Sequence, residues 1–139
     1  MGTRWFTSDE HYGHANVIRY CDRPYTDVDT MARGLIARHN AVVADGDEVW
    51  HLGDFVFGGV TKGAAILSRL NGTHRLIVGN HCRGREQMVR MGFAEAVRGP
   101  RDDVIGGIRV QLSHYPYCRK DSRDHDLEFA DRAPIDNGG

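Results

Sequence analysis

Four short polar signatures that could bind metal ions occur along this chain, each at the end of an apolar run. In chain order they are Asp9-Glu10-His11, Gly53-Asp54, Gly79-Asn80-His81 and Ser113-His114. They offer carboxylate, amide and imidazole donors and contain no thiolate. This donor set favours manganese, iron or zinc over calcium or a structural cysteine–zinc site. The signatures therefore predict a metal centre, with enough ligands for two ions.

The positions of these signatures predict that their side chains converge. Asp9, Asp54 and Asn80 each follow a segment of strand-like composition, and open α/β sheets bind ligands at the carboxyl ends of their strands. Asp9 and His11 are two residues apart, so both side chains point the same way if the strand geometry continues. Carboxylates that crowd together repel each other, and divalent cations relieve that repulsion.

Segments with strand and helix patterns alternate over the first two thirds of the chain. The predicted elements are a strand at 3–7, a helix from about 26 to the break at 45–46, a strand at 48–52, a helix at 64–70, a strand at 75–78 and a helix at 86–91. Thr26 and Asp29 have the spacing of a capping box at the start of the long helix. The order β-α-β-α-β-α predicts an α/β domain whose neighbouring strands are mostly parallel.

The last third of the chain has a different pattern. Gly106-Gly107 lies between two apolar runs, which predicts a two-residue β-hairpin whose antiparallel strands join the sheet. In the second strand every other residue is apolar, so one face is expected to be buried while the strand leads to Ser113-His114. Residues 119–139 are charged and rich in turn formers, which predicts a loop.

The four signatures together resemble those of the calcineurin-like metallophosphoesterases. The matching residues are Asp9-x-His11, Gly53-Asp54, Gly79-Asn80-His81 and His114. The run Ser8-Asp9-Glu10-His11-Tyr12-Gly13-His14-Ala15-Asn16 is especially similar to short stand-alone members from bacteria and phages. The resemblance implies an α/β fold, namely the family's sandwich of mixed β-sheets flanked by helices, in one domain that spans residues 1–139.

The resemblance also implies roles for individual residues. Asp54 would bridge two divalent ions, with Mn²⁺ as the first choice and Fe or Zn as alternatives. Asp9 and His11 would complete the first site, and Asn80 and His114 would complete the second. Such a pair of ions can activate a bound hydroxide and neutralise an in-line phosphoryl transition state.

Three further residues have expected roles beside the metals. His81 would be the catalytic acid for the leaving group or would stabilise the phosphoryl group. His14 would lie behind the metal ligands or contact the substrate. Arg83 could face a phosphate, although an exposed helix face explains it equally well.

Two features depart from the family pattern. Cys82 stands where the family commonly has Asp or Glu, which affects how His81 is oriented. A final Gly-His-x-His signature, whose histidines usually supply one ligand to each metal, does not occur before Gly139. The sequence therefore predicts a domain that is incomplete at its C-terminus. A truncated chain is the first explanation, and natural loss or replacement by another residue such as His125 are the alternatives.

Composition limits the classes of partner. The chain has 139 residues with a formal charge of −1, so one domain is expected and no basic field favours long nucleic acid or a membrane surface. No apolar stretch approaches the roughly 18 residues of a membrane span. The odd count of three cysteines favours a reducing compartment, so a cytoplasmic location is expected. The oligomeric state is left open.

The function that follows is metal-dependent hydrolysis of a small phosphoester. A phosphodiesterase acting on nucleotides, including cyclic ones, through a metal-bound hydroxide is the main hypothesis. A phosphomonoesterase is the nearest alternative, and a catalytically impaired binding module on the same fold is a second. The remaining histidines His39, His51 and His74 are expected to be structural or solvated.

Overall fold

A computed structural model of the chain describes residues 2–79 and 84–116. Its elements are β1 (Arg4–Thr7), α1 (Ala15–Tyr20), α2 (Val28–Val42), β2 (Glu48–His51), α3 (Val60–Leu67), β3 (Thr73–Val78), α4 (Arg85–Met91), β4 (Glu95–Arg98), β5 (Arg101–Ile105) and β6 (Ile108–Leu112). The strands β1-β2-β3-β4 form a parallel sheet in that order, and β5 and β6 form an antiparallel pair. The predicted α/β class and parallel strand order are therefore confirmed.

Both faces of the main sheet carry buried residues. Neighbouring residues of β3 point to opposite faces, and each face packs against a different cluster. Leu76 is fully buried in a cluster that contains residues of α2, α3 and α4. Ile77 is fully buried in a second cluster with Trp50 of β2 and Leu112 of β6. The helices thus cover one face, and the hairpin β5–β6 covers part of the other.

The hairpin is confirmed, but the prediction that its strands join the main sheet is wrong. Within the described residues β5 and β6 pair only with each other, and each sheet is purely parallel or purely antiparallel rather than mixed. The physical reason is that a parallel sheet needs cover on both faces. The hairpin meets that need by packing Leu112 onto Trp50 and Ile77.

The long helix α2 begins one residue later than the capping-box pattern indicates. The N-cap is Asp27, whose side chain accepts a hydrogen bond of 2.7 Å from the backbone nitrogen of Thr30. A carboxylate in this position satisfies a free helix donor and also complements the helix dipole. This bond lowers the pKa of Asp27.

Two short elements escaped the sequence analysis because their stability depends on tertiary contacts. Strand β4 has the sequence Glu-Ala-Val-Arg, without the alternation that marks a strand. It pairs in parallel with β3, and an ion pair between Glu95 and Arg75, with an N–O distance of 2.7 Å, joins the two strands. Helix α1 is only six residues long and buries one side chain, Val17. Within the described ranges, no helix is both long enough and apolar enough to cross a membrane.

The packing of the hairpin onto the sheet predicts a modest effect for a small truncation at Ile77. Ile77→Val removes one buried methylene and should lower the free energy of unfolding by about 0.5 to 1.5 kcal/mol. Chemical denaturation measures this loss. The matched control is Val89→Ala on α4, where Val89 is 52% exposed, and a loss there equal to that of Ile77→Val would contradict the packing argument.

Candidate metal centre

The loops that follow β1 and β2 remain paired after the strands end. The backbone nitrogen of Asp9 donates to the carbonyl of Gly53 at 3.1 Å, and that of His11 donates to the carbonyl of Asp54 at 2.9 Å. A further parallel bridge joins Tyr12 to Val56. These bonds hold the first two polar signatures side by side at the carboxyl edge of the sheet.

The side chains of the two loops converge with that of His114. The Nε2 atom of His11 lies 3.5 Å from Oδ1 of Asp9 and 3.6 Å from Oδ2 of Asp54. The same Oδ2 atom lies 3.4 Å from Nε2 of His114. One ligand atom each from Asp9, His11 and Asp54 can be chosen so that all three lie within 4.8 Å of one another. Asp54 therefore sits between the two histidines.

These separations fit a shared cation better than hydrogen bonds. Hydrogen bonds between nitrogen and oxygen are usually about 2.7 to 3.2 Å long, whereas Asp54 Oδ2 lies 3.4 Å and 3.6 Å from the two imidazoles. Ligands bound about 2.1 Å from a tetrahedral ion are separated from each other by roughly 3.4 Å. The Asp54 side chain is 4% exposed, and a buried carboxylate needs a compensating positive charge. The donor set thus fits divalent metal.

The convergence arises from an unusual backbone rather than from a continued strand. Asp9, His11 and Asp54 have φ angles of 56°, 53° and 53°, in the left-handed region that L-residues seldom adopt. Strand geometry, the condition under which the spacing of Asp9 and His11 would direct their side chains the same way, therefore does not continue through them, although their side chains do meet. Backbone strain of this kind is concentrated at functional sites, where the surrounding structure has to maintain it.

Two glycines of the signatures leave room for these side chains. A Cβ atom on Gly53 would lie 2.4 Å from Nδ1 of His114, and one on Gly79 would lie 2.6 Å from Oδ1 of Asp54. Gly53 also has a φ of +110°. The glycine that precedes each of these loops is therefore required by close packing around the carboxylate of Asp54.

His114 is oriented by the main chain. Its Nδ1 atom lies 2.8 Å from the carbonyl oxygen of Leu52, and a carbonyl can only accept, so Nδ1 carries the proton and donates it. The Nε2 atom therefore faces the Asp54 carboxylate 3.4 Å away, and this interaction raises the pKa of His114. A backbone carbonyl that fixes the tautomer in this way is typical of histidines that bind metal.

His14 lies next to a predicted ligand. Its Nδ1 atom is 3.3 Å from Nδ1 of His11, and its ring stacks on Phe57 with the centroids 5.0 Å apart. His14 therefore lies behind His11, and its role, to orient the ligand or to contact the substrate, stays a prediction. Four predicted site residues are thus brought together with His14 beside them: Asp9, His11, Asp54 and His114.

Other predicted residues lie outside the described part of the chain. These are Asn80, the predicted metal ligand; His81, the predicted catalytic residue; Arg83, which could face a phosphate; Cys82, which departs from the family pattern; and His125, the alternative ligand. Their roles stay predictions. The predicted loop at 119–139 also lies outside the described residues.

The sequence analysis missed two residues that hold the Asp9 loop. The guanidinium group of Arg23 donates to the carbonyl oxygens of Asp9 and Glu10 at 2.7 Å and 2.6 Å. The Glu10 carboxylate turns away from the metal ligands and contacts Nδ1 of His51 at 2.5 Å. Strand alternation does not account for Glu10, because the residues on both sides of it have a left-handed backbone. No local pattern marks Arg23.

The imidazoles of His51 and His74 are both buried, at 1% and 6% exposure. Nε2 of His51 lies 3.0 Å from Nδ1 of His74, and Nε2 of His74 lies 3.3 Å from the carbonyl oxygen of Leu70. His39 lies nearby, with its ring centroid 5.5 Å from that of His74. Burial, followed by repulsion from His51, lowers the pKa of His74 to about 4.

The lowered pKa of His74 predicts a loss of stability in mild acid. The unfolded chain takes up a proton near pH 6.5, but folded His74 does so only near pH 4. Neutral His74 therefore contributes its full stabilisation of the folded state above pH 6.5. As the pH falls towards 4 this stabilisation is lost, and the free energy of unfolding drops by up to about 1.4 kcal/mol per pH unit. Denaturation of the metal-free protein between pH 7 and pH 4.5 measures this. His74→Gln should have a shallower slope, and an unchanged slope would contradict the assignment.

Comparison with known proteins supports the fold class. No family model matches the sequence. A crystal structure of a protein of unknown function from Aquifex aeolicus matches 83% of this chain and 62% of its own, with a TM-score of 0.70 and 26% identity. The two proteins thus share an α/β fold. In this chain the fold has a four-stranded parallel sheet with helices packed on one face.

Sequence relatives occur in archaea and in phages. An uncharacterized protein of Methanocaldococcus jannaschii is 42% identical over 79 residues, which cover 55% of this chain and 45% of that protein. The gene 66 protein of Mycobacterium phage L5 is 33% identical over 136 residues, which cover 84% of this chain and 65% of the phage protein. The gene 66 protein of phage D29 is similar, with 34% identity over 134 residues. The chain thus spans between about half and two thirds of these relatives.

Proposed function

We propose that this protein is a metal-dependent phosphoesterase of the calcineurin-like class that hydrolyses small phosphodiesters such as nucleotides or cyclic nucleotides. The observation that supports this most is the position of Asp54, with one carboxylate oxygen 3.6 Å from His11 and 3.4 Å from His114. A carboxylate between two sets of donors is suited to bridge two ions. The family's two-sheet sandwich is the architecture that we propose for the whole domain.

The proposed ligand sets follow the two sides of Asp54. Asp9 and His11 would hold one divalent ion with Asp54, and His114 would hold the other together with Asn80, which is taken from the resemblance. When bound, Mn²⁺, Fe or Zn would supply Lewis acidity to the phosphoryl group and lower the pKa of a bound water. His81, also taken from the resemblance, donates a proton to the leaving group.

The surrounding groups orient these ligands. Leu52 fixes the tautomer of His114 through its carbonyl oxygen, and His14 contacts the far nitrogen of His11. The hydroxyl of Ser8 donates to Oδ2 of Asp9 at 2.5 Å. Oriented ligands preserve the spacing that two ions require, and such outer contacts affect metal affinity strongly.

The substrate that we propose is small and anionic. The side chain of Asp9 is 52% exposed, so the Asp9 side of the centre is open to solvent and to a substrate. The formal charge of −1 provides no basic field for a long nucleic acid. The three cysteines support a reducing compartment, and we propose the cytoplasm as the location.

The test is Mn²⁺-dependent hydrolysis of bis(p-nitrophenyl) phosphate, of p-nitrophenyl phosphate and of a 2′,3′-cyclic nucleotide by the full 139-residue chain. We expect turnover that requires metal, is faster with the diesters and is abolished by His81→Ala. His39→Gln is the matched control, because His39 lies outside the proposed centre.

Each other outcome has a defined meaning. Faster hydrolysis of the monoester would replace the diesterase by a phosphomonoesterase. Tight binding of Mn²⁺ without turnover of any of the three substrates would overturn the enzymatic proposal and leave a binding module on the same fold. Absence of Mn²⁺ binding would overturn the metal centre itself.

A further inference from the structure

A chain of buried polar groups leaves the Asp9 loop on the side opposite the proposed metal ligands. The Glu10 side chain is 10% exposed, whereas that of Asp9 is 52% exposed. Oε1 of Glu10 contacts Nδ1 of His51 at 2.5 Å, and Nε2 of His51 contacts Nδ1 of His74 at 3.0 Å. This chain of polar groups ends at the carbonyl oxygen of Leu70. It therefore connects the loop after β1 to β2 and β3 through the interior.

The direction of each hydrogen bond in this chain is determined by its last member. The carbonyl of Leu70 can only accept, so Nε2 of His74 carries a proton. Since burial keeps His74 neutral, its Nδ1 atom has none and accepts from Nε2–H of His51. The Nδ1 atom of His51 is then the atom that hydrogen-bonds to Oε1 of Glu10. Every link is thus a satisfied hydrogen bond, as buried polar groups require.

The Asp9 loop needs such an anchor because its backbone is strained. Asp9 and His11 have φ angles of 56° and 53°, and Glu10 is the residue between them. Residues in this conformation keep it only where the surrounding structure determines it. Arg23 holds the carbonyl oxygens of Asp9 and Glu10, while His51 holds the side chain of Glu10. The second oxygen of Glu10 is buried without a hydrogen-bond partner in the described structure, so the bond to His51 is the anchor of this side chain.

We propose that the chain Glu10–His51–His74 is a positioning device that holds Asp9 and His11 in the geometry that binds metal. This inference rests on the proposed function for its effect on metal, but the anchoring of the loop is independent of metal. Glu10, His51 and His74 are positioning residues, since none of them contacts the proposed ions.

The first test measures Mn²⁺ affinity by calorimetry for the full chain and its variants. Glu10→Met fills the site without a hydrogen bond and should weaken Mn²⁺ binding about 10- to 100-fold. Glu10→Gln should restore it to within about threefold of the unmodified chain, because the amide N–H can donate to Nδ1 of neutral His51 and leave the rest of the chain intact. Asp102→Asn in β5 is the control and should bind Mn²⁺ normally, because Asp102 is exposed and hydrogen-bonds to Gln111.

A double substitution separates positioning from general destabilisation. If Glu10 and His51 act through one hydrogen bond, Glu10→Met combined with His51→Phe should weaken Mn²⁺ binding no more than the stronger single variant. Additive losses, or a Glu10→Gln variant as weak as Glu10→Met, would overturn the proposal.

The second test needs no metal. Amide hydrogen exchange of the metal-free protein should be faster at Asp9 and His11 in Glu10→Met by about tenfold or more, while the amides of β3 stay protected. Unchanged exchange at both amides would overturn the inference. Faster exchange in Glu10→Met together with no Mn²⁺ binding by the unmodified chain would support the anchor and overturn only the proposed function.

Discussion

Asp54→Asn is expected to reduce Mn²⁺-dependent diester hydrolysis by about a thousandfold or more. Asp54 is the side chain that lies between His11 and His114, with Oδ2 3.6 Å and 3.4 Å from their Nε2 atoms. An amide has the same shape as the carboxylate but no charge, so the two proposed ions would lose the ligand that they would share. Metal ions contribute several kcal/mol to such reactions, and each 1.36 kcal/mol corresponds to a factor of about ten in rate.

The control for this variant is a carboxylate remote from the centre. Asp102 lies exposed in β5 and accepts a hydrogen bond from Gln111, so Asp102→Asn should leave the rate unchanged. Circular dichroism should show the same fold for both variants, since Asn is isosteric with Asp. If Asp54→Asn retained more than a tenth of the activity, or kept the same Mn²⁺ affinity as the unmodified chain, Asp54 could not be a bridging ligand.

Gly53→Ala is expected to lower the free energy of unfolding by about 2 to 5 kcal/mol. The positive φ of +110° disfavours an L-residue by about 1 to 2 kcal/mol. The new Cβ would also lie 2.4 Å from Nδ1 of His114, and overpacking of this kind costs about 1 to 3 kcal/mol. His114 cannot move away from the new Cβ without losing its hydrogen bond to Leu52. The affinity for Mn²⁺ should therefore decrease together with the free energy of unfolding.

Two other glycines separate the causes of this effect. Gly107 has a φ of +82° and open space around its Cβ position, so Gly107→Ala should show only the strain of about 1 to 2 kcal/mol. Gly46 has open space and no positive φ, so Gly46→Ala should be neutral or slightly stabilising. Chemical denaturation gives all three values. Equal losses for Gly53→Ala and Gly107→Ala would mean that the contact with His114 carries no energy.

The fold was accessible from sequence wherever a segment carried its own pattern. The strands near Trp5, Val49 and Leu76 and the long helix through Met31 were predicted within a few residues, because apolar periodicity is a local property. Strand β4 was missed because its pairing with β3 is a contact between separate segments that leaves no local pattern. The hairpin was found from Gly106-Gly107, but its placement over the sheet rather than in it depends on burial of Ile77 and Leu112.

The candidate site divides in the same way. The types, order and spacing of Asp9, His11, Asp54 and His114 were enough to predict a metal centre, because ligand chemistry is determined by the residue types and their order along the chain. Asn80 and His81 belong to the same prediction and lie outside the described residues.

The sequence by itself thus determined which donors are present and that β1 and β2 deliver them to one edge of a parallel sheet. Only the tertiary structure decided how they meet, through the left-handed backbone at Asp9 and His11 and the close packing at Gly53. It also decided that Glu10 turns inward to His51. The physical reason is that residue type and periodicity are local, whereas backbone strain and buried hydrogen bonds persist only when several distant segments pack together.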